Sequence, residues 1–396
     1  MIDLAKRNQL AAWIIGAILL FALPFVVQMA GNAWVRIIDI ALLYVLLALG
    51  LNIVVGYAGL LDLGYVAFYA VGAYMLGLLA SPQLTDAFPA IAAAFPNGLH
   101  VPWWLLIPLG AAVAGFFGVL LGAPTLKLRG DYLAIVTLGF GEIVRVFLNN
   151  LDAPINITNG PKGITGIDEI TIFEHPLGKT GHWFGLEWPK VTNYYFLFLI
   201  LVVLAVIICH RLQRSRIGRA WMAIREDEIA AKAMGINTRN LKLLAFGMGA
   251  TFGGVSGTMF ASFQGFISPE SFSLPESVMI VAMVVLGGIG HLPGVIVGAL
   301  LLAALPEVLR YVAGPLQAWS DGRLDASILR QLLIALAMIG IMLARPRGLW
   351  PSPEHGKLAP TAAPLKTRDD PSVPQPVGPN VSEATNESHP SGTRHV

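Results

Sequence analysis

The chain has 396 residues, of which 55% are hydrophobic and only 13% are charged, and its formal net charge is +2. Soluble domains carry about 25% charged residues, so most of this chain is expected to lie in a lipid bilayer. The near-neutral balance indicates no basic surface for nucleic acid. The single cysteine, Cys209, excludes an intramolecular disulfide and a cysteine-rich metal site. No cofactor and no metal site are expected.

Apolar stretches in chain order predict an all-α, polytopic membrane protein with about ten transmembrane helices, since a helix needs roughly 20 apolar residues to cross the hydrocarbon core. Two glycine-rich runs, GYAGLLDLG (56–64) and LGGIGHLPG (286–294), interrupt the pattern. The third span is therefore expected to begin irregularly, and the eighth and ninth are either two full spans or half-helices. The predicted spans are 11–30, 34–54, 62–80, 102–122, 132–149, 193–210, 242–263, 277–290, 292–309 and 328–344.

The distribution of basic residues predicts the orientation of the spans. Lys and Arg beside membrane spans are retained in the cytoplasm. With a cytoplasmic N-terminus, ten spans place both termini and the basic segment 211–242 inside, while the acidic loop 149–192 lies outside. We predict a transmembrane permease domain over 1–350. Residues 351–396 are rich in Pro, Ser and Thr and poor in large apolar side chains, so they are predicted to be a disordered cytoplasmic tail.

The basic segment 211–242 combines eight Lys and Arg with three Asp and Glu, between two long apolar runs. Asp227 is a plausible helix N-cap, Glu228 to Met234 are mostly good helix formers, and Gly235 stands where a left-handed C-terminal cap is expected. Glu228 and Lys232 have the i, i+4 spacing of a stabilising ion pair. The segment is either a short helix ordered by docking or a solvated basic loop that sets topology.

The stretch SRIGRAWMAIREDEIAAKAMGI (215–236) resembles the cytoplasmic motif of ABC-importer permeases, and most of all that of the membrane subunit of branched-chain amino acid importers. Ile229 replaces the leading Glu of the broader motif, and its usual ending is missing. Three further runs carry the same resemblance: LNIVVGYAGLLDLGYVAFYAVGAY (51–74), GAPTLKLRGDYLAIVTLGFGEIVR (122–145) and VVLGGIGHLPGVIVGA (284–299).

The resemblance implies a bacterial inner-membrane subunit with defined partners. These are a second permease, two cytoplasmic ABC ATPases and an extracytoplasmic substrate-binding protein. The chain has no G-x-x-x-x-G-K-[ST] sequence, so ATP hydrolysis is assigned to the partner subunits and not to this chain. By resemblance, coupling to the ATPases is assigned to Arg225, Glu226, Asp227, Glu228, Ala230, Ala231 and Gly235.

Small residues recur at every fourth position of the seventh predicted span, and they form one flat stripe on a helix. The same spacing recurs at Gly290, Gly294 and Gly298. The stripe indicates tight packing within the chain, a sliding seam used in transport, or a contact with the partner permease. Its members are Ala245, Gly249, Gly253, Gly257 and Ala261.

Ionisable residues at membrane depth are candidates for function. Asp62, at the start of the third predicted span, either caps a helix or lines the transport pathway. Glu142 and Arg145 are spaced i, i+3 and are expected to form an internal packing pair, with the pathway as the alternative. Glu276 is expected to begin the eighth span, and His291 to lie in a cytoplasmic turn.

By resemblance, the transported substrate is leucine, isoleucine or valine. Permeases for urea, short amides or sugars are alternatives within the same class. A secondary transporter driven by an ion gradient would need charges along its path and an internal repeat, and the sequence offers little of either. A membrane enzyme is disfavoured because no catalytic cluster stands at suitable spacing.

Overall fold

The computed structural model describes residues 16, 18–95, 98–125, 128, 130–172, 175–178, 181–183, 186–319, 326–345 and 348–350. The predicted tail 351–396, both termini and residues 11–15 of the first predicted span lie outside these ranges. The helices are α1 (Ile18–Gln28), α2 (Asn32–Asn52), α3 (Val66–Leu79), α4 (Gln83–Ala87), α5 (Pro89–Ala94), α6 (Trp103–Thr125), α7 (Asp131–Asn149), α8 (Lys190–Arg214), α9 (Arg216–Glu226), α10 (Glu228–Ala233), α11 (Thr238–Gln264), α12 (Leu274–Gly287), α13 (Leu292–Trp319) and α14 (Ala326–Ala344).

Six helical segments of the described chain are long and apolar enough to cross a membrane. Three shorter apolar helices, namely α1, α3 and part of α14, accompany them. The fifth predicted span corresponds to α7, which is not among the six. A helical, polytopic architecture therefore agrees with the prediction, but ten crossings are not confirmed. The six segments are Asn32–Tyr57, Trp103–Thr125, Lys190–Arg214, Thr238–Gln264, Pro269–Gly287 and Leu292–Leu309.

Helix α11 lies at the centre of the bundle and packs against α2, α3 and α6. Its glycines allow backbone-to-backbone contact. A Cβ on Gly249 would lie 3.1 Å from the carbonyl oxygen of Gly50 in α2. A Cβ on Gly257 would lie 2.1 Å from the carbonyl oxygen of Tyr69 in α3. The small-residue stripe thus faces helices of the same chain, and Ala245 and Ala261 at its two ends are also fully buried. A role of this stripe as a sliding seam stays a prediction.

Helix α2 continues into a five-residue π-helix, Ile53–Tyr57, and the chain then runs without regular structure until α3 begins. A 14-residue helix such as α3 is about 21 Å long, which is shorter than the hydrocarbon thickness of about 30 Å. The non-helical residues 58–65 lead up to it and are mostly buried in the protein. Non-helical backbone is tolerated at membrane depth only in such surroundings. The predicted irregular start of the third span is confirmed, although its helix begins at Val66 and not at residue 62.

Helices α12 and α13 form an antiparallel hairpin. Gly288 (φ 118°) and Gly290 (φ 82°) make the turn between them in conformations that favour glycine. A Cβ on Gly294 would lie 2.3 Å from the carbonyl oxygen of Gly287, and one on Gly298 would lie 2.5 Å from that of Met283. The eighth and ninth predicted spans are therefore two closely packed helices, and α13 extends ten residues beyond the predicted end at residue 309.

Short antiparallel strand pairs accompany the helices, with β1 to β5 between α7 and α8 and β6 between α11 and α12. The pair that joins distant segments is β1 with β6, in the register Ile164 to Ile267 and Thr165 to Phe266. We call this side of the bundle the strand end, and the opposite side, where α8 meets α9, the basic end. The strands are β1 (Ile164–Thr165), β2 (Thr171–Ile172), β3 (His175–Pro176), β4 (Gly181–Trp183), β5 (Leu186–Trp188) and β6 (Phe266–Ile267).

Candidate functional site at the basic end of the bundle

Two short helices, α9 and α10, form a hairpin at the basic end. Ser215 caps α9, because its Oγ accepts a hydrogen bond from the Gly218 amide at 3.1 Å. Asp227 ends α9 and caps α10, and its Oδ1 accepts hydrogen bonds from the amides of Ile229 (2.8 Å) and Ala230 (3.1 Å). The predicted cap and short helix are therefore present. Helix α9 was not among the predicted elements, although its strong amphipathic pattern is a signal of a helix.

Helix α10 ends in the predicted left-handed cap. Gly235 has φ 82°, a conformation that glycine adopts without steric cost. Its amide donates to the carbonyl of Lys232 at 3.0 Å, and the next amide, of Ile236, donates to that of Ala231 at 3.1 Å. These bonds satisfy carbonyls at the helix end that have no partner inside the helix.

The hairpin is fixed to the central helix α11 by buried contacts. The indole of Trp221 is fully buried, and its Nε1 donates to the carbonyl of Leu241 at 2.7 Å. The Glu228 carboxylate accepts a hydrogen bond from Lys242 Nζ at 2.8 Å, and its Oε1 lies 3.1 Å from Lys232 Nζ. Burial alone raises the pKa of the Glu228 carboxyl, but the hydrogen bonds from the two lysines outweigh it and lower the pKa to about 2. Glu228 is therefore ionised at neutral pH and ties α10 to α11.

Two large apolar side chains are exposed to solvent at α10, one in its first turn and one at its C-cap. Ile229 is 71% exposed and Met234 is 83% exposed, while Ala231 faces inward and is buried. Charged, exposed residues surround the pair, among them Glu226 and Lys232. Two large apolar side chains within a polar rim are typical of a surface that a protein partner covers.

The inner face of the hairpin contacts the helix break that follows α2. Arg225 Nη1 donates a hydrogen bond of 2.6 Å to the carbonyl of Gly56, inside the π-helix. Asn52, one turn earlier, is buried, and its Oδ1 accepts a 2.9 Å hydrogen bond from the amide of Gly290 in the α12–α13 turn. We call Asn52, Gly56, Arg225 and Gly290 the junction. Arg225 was predicted only as a residue of ATPase coupling, and the contacts among these four residues were not predicted.

Asp62 lies in the non-helical segment and is almost completely buried. Its Oδ1 accepts the amide of Gly64 at 2.9 Å, so it closes a turn and does not cap α3, whose N-cap residue is Tyr65. Its Oδ2 accepts no hydrogen bond from the described residues. A very small cavity beside Asp62 is lined by Thr125 and Thr137. Among the described residues, no hydrogen bond joins Asp62 to the junction. A role of Asp62 in the transport pathway stays a prediction.

Glu142 and Arg145 form the expected ion pair, but it is not internal. Arg145 Nε donates to Glu142 at 3.0 Å, and Arg145 Nη1 donates to Glu270 Oε1 at 3.0 Å. The Glu142 side chain is 42% exposed. The interpretation as a buried packing pair is wrong because the pair lies on a partly exposed face of α7, where Glu270 joins it near the strand end. The pair thus links α7 to the segment that precedes α12.

Taken together, a bundle of apolar spans with an interrupted span buried within it defines a multi-pass membrane protein, and exposed apolar side chains lie on a hairpin that is fixed to its central helix. Among the described residues, no group of three or more His, Cys, Asp or Glu side chains is suited to hold a metal ion. The charged groups instead join structural elements to one another.

The chain belongs to the family described as branched-chain amino acid transport system / permease component, whose model matches residues 34–342. It is 41% identical to the high-affinity branched-chain amino acid transport system permease protein LivM of Escherichia coli K12, over 84% of this chain and 73% of the relative. It is 26% identical to a probable LivM permease of Methanocaldococcus jannaschii, over 78% of this chain and 90% of the relative. No solved structure gives a significant match.

A second kind of permease is also similar to this chain. The high-affinity branched-chain amino acid transport system permease protein LivH of Escherichia coli K12 is 25% identical, over 80% of this chain and 93% of the relative. The chain is therefore a permease component, a transport subunit rather than an enzyme, and a multi-pass protein of the inner membrane.

Proposed function

We propose that this chain is the permease subunit of an ATP-driven importer for branched-chain amino acids. The observation that carries the proposal is the capped helix α10, where Ile229 and the C-cap residue Met234 are exposed while Glu228 fixes the helix to α11. A surface of this kind passes force from a bound partner to the membrane helices only if it is rigidly attached to them. The Trp221 and Glu228 contacts provide that attachment.

The partner on this surface is a cytoplasmic ABC ATPase. The basic segment 211–242 carries eight Lys and Arg, which favours a cytoplasmic position for the basic end. The coupling surface then consists of Ile229 and Met234 with Glu226, Asp227, Glu228, Ala230, Ala231 and Gly235 as its framework. Arg225, the remaining residue assigned to coupling from the sequence, lies on the inner face of the hairpin against Gly56 and is not part of the docking surface. A second permease and a second ATPase complete the membrane complex, and an extracytoplasmic binding protein meets the strand end.

The proposed substrates are leucine, isoleucine and valine. The relatives named above are described as branched-chain amino acid permeases, which supports this assignment. The interrupted span between α2 and α3 is the proposed part of the pathway, since non-helical backbone in a membrane protein offers carbonyl and amide groups to a polar solute. Asp62 lies in this segment and is the proposed polar residue of the path.

In the direct test, the chain is reconstituted in proteoliposomes together with a candidate second permease, candidate ATPases and a candidate binding protein. ATP hydrolysis should rise with binding protein plus leucine, and the ATPases should co-purify with the permease pair. The Met234→Asp variant should lose the ATPases because a carboxylate replaces an 83% exposed apolar side chain, whereas Asn240→Asp, exposed on the nearby first turn of α11, should keep them.

Three outcomes separate the possible functions. Wild-type protein that binds no ATPase and moves leucine with an ion gradient is a secondary transporter, and the proposal fails. Stimulation by urea or a short amide but not by leucine keeps the ATP-driven machine and changes the substrate. If Met234→Asp and Asn240→Asp retain the ATPases equally well, the coupling surface does not lie at α10.

A further inference from the structure

Two interruptions of the membrane helices meet the cytoplasmic hairpin at one place. The first is the π-helix Ile53–Tyr57, and the second is the α12–α13 turn. These two segments are more than 230 residues apart in the chain, yet Asn52 Oδ1 accepts the amide of Gly290 at 2.9 Å. Arg225 then joins the hairpin to the first interruption through the 2.6 Å hydrogen bond to the Gly56 carbonyl. The hairpin, the π-helix and the α12–α13 turn are thus linked by two hydrogen bonds.

The junction has no spare room. A Cβ on Gly56 would lie 2.0 Å from Asn52 Oδ1 and 2.9 Å from the amide nitrogen of Gly290. A Cβ on Gly290 would lie 2.9 Å from Arg225 Nη1 and 3.1 Å from the Gly56 carbonyl oxygen. Contacts this close transmit a displacement directly, because packed interiors have low compressibility.

The positive charge of Arg225 is stabilised by the helix end beside it. The π-helix that extends α2 ends at Tyr57, so the negative end of this helix dipole lies beside the guanidinium. The carbonyls at a helix end lack partners within the helix, and a cationic donor satisfies them strongly. Arginine offers several donors in a rigid fork, so it can hold this geometry better than a lysine.

We propose that Arg225 is a positioning residue that links the movement of the α9–α10 hairpin to the interrupted span 53–65 and, through Asn52 and Gly290, to the α12–α13 turn. In this role Arg225 does not hold the ATPase. It converts a displacement of the hairpin into a change at the two interruptions, while Glu228 and Trp221 carry the same displacement to α11. The inference rests on the proposed function, because the displacing force is assigned to an ATPase docked on α10.

The test compares Arg225→Gln with Arg216→Gln in the reconstituted complex. Both arginines lie on α9, but Arg216 is exposed near its start and lies outside the junction. Arg225→Gln should assemble with the ATPases and keep their basal hydrolysis, whereas leucine uptake per ATP hydrolysed should fall about tenfold or more, as expected for loss of a charge-assisted hydrogen bond. Arg216→Gln should retain the wild-type ratio.

Conservative variants provide a readout that a purely structural role would not give. Arg225→Lys keeps a cation at the end of the π-helix and should restore part of the coupling ratio. Asn52→Asp keeps the acceptor for Gly290 and should be better coupled than Asn52→Ala, although residue 52 does not belong to the ATPase-facing surface. If Arg225→Gln fails to accumulate in membranes, the ratios for Arg225→Lys, Asn52→Asp and Asn52→Ala decide the question.

The inference is overturned by either of two results. Uptake per ATP that stays at the wild-type value in Arg225→Gln and Asn52→Ala would show that the junction transmits nothing. Loss of ATPase association in Arg225→Gln, with Asn52→Ala unaffected in every assay, would assign Arg225 to the docking surface. A failure of the proposed function itself would be visible separately, since the wild-type complex would then show no leucine-stimulated hydrolysis.

Discussion

Glu228 in α10 and Lys242 in α11 lie 2.8 Å apart, so the helix with the exposed apolar face is bound by an ion pair to the central helix of the bundle. The Glu228 side chain is 23% exposed and that of Lys242 is nearly buried. A buried ammonium that loses its carboxylate keeps its desolvation penalty without compensation. The pair therefore acts more as a geometric constraint on α10 than as a simple surface salt bridge.

We expect Glu228→Gln to lower the stability of the basic end by about 1–3 kcal/mol, because Lys242 is left without a charged partner. The folded-state pKa of Glu228, about 2, lies below its ordinary value of 4.5. The carboxylate's contribution is therefore complete above pH 4.5 and is lost as the pH falls toward 2. Melting temperatures of wild type and variant in detergent should differ at neutral pH and converge at acid pH. Glu226→Gln, on the exposed side, is the control, and an equal loss there would contradict the prediction.

Gly235→Val should leave the protein inserted yet uncouple transport from ATP hydrolysis. At φ 82° a β-branched side chain is strained, so the end of α10 and its following turn should rearrange. Gly235→Asn is the matched control because asparagine adopts left-handed conformations more readily. The measurement is leucine uptake per ATP hydrolysed in proteoliposomes. Normal import by Gly235→Val would show that the capped end of α10 has no part in coupling.

Gly257→Ala should destabilise the contact between α3 and α11 by about 1–3 kcal/mol, a typical cost of overpacking a close contact. The new Cβ would lie 2.1 Å from the Tyr69 carbonyl oxygen and 2.6 Å from the Ala73 amide nitrogen, which are backbone atoms and cannot rotate away. Gly139→Ala in α7 is the control, since no atom lies within 4 Å of its added Cβ. Thermal unfolding in detergent distinguishes them, and equal melting temperatures would argue against close packing at Gly257.

Membrane orientation is testable with the native thiol left in place. Cys209 is 1% exposed, so an impermeant maleimide should label the wild-type protein poorly. Thr165→Cys, exposed at the strand end, should react in intact cells. Met234→Cys should react only after the membrane is permeabilised, because basic segments beside spans remain in the cytoplasm. Labelling of Met234→Cys in intact cells would place the basic end outside and would remove the basis for ATPase coupling.

Interactions between near neighbours in the chain could be predicted from the sequence. Asp227 as an N-cap, Gly235 as a left-handed residue and the Glu228–Lys232 pair all depend on spacings of four residues or fewer. The Glu142–Arg145 pair was predictable for the same reason. Its third member, Glu270, is 125 residues away, and that distance hid both the partner and the half-exposed surroundings of the pair.

Contacts between distant segments could not be predicted in this way. The stripe on α11 indicated close packing, but periodicity within one helix does not name the neighbours, here α2 and α3. The hydrogen bond from Gly290 to Asn52 joins residues that share no local pattern. The glycine-rich runs did mark both interruptions, because glycine permits the backbone conformations that end a helix there. They gave no indication that the interruptions touch each other and Arg225.

Amide groups of the non-helical stretch 58–65 donate hydrogen bonds to other elements and to a side chain of the stretch itself. The amide of Leu63 donates to the Thr137 hydroxyl on α7, that of Gly64 to the Asp62 side chain, and that of Leu60 to the Val54 carbonyl of the π-helix. Such protons exchange with solvent deuterium whenever their acceptors move away, even when the helices stay intact. This stretch therefore reports on conformation without an added label. The deuterium uptake of a peptide that covers it, measured by mass spectrometry, would distinguish the resting transporter from the nucleotide-bound one.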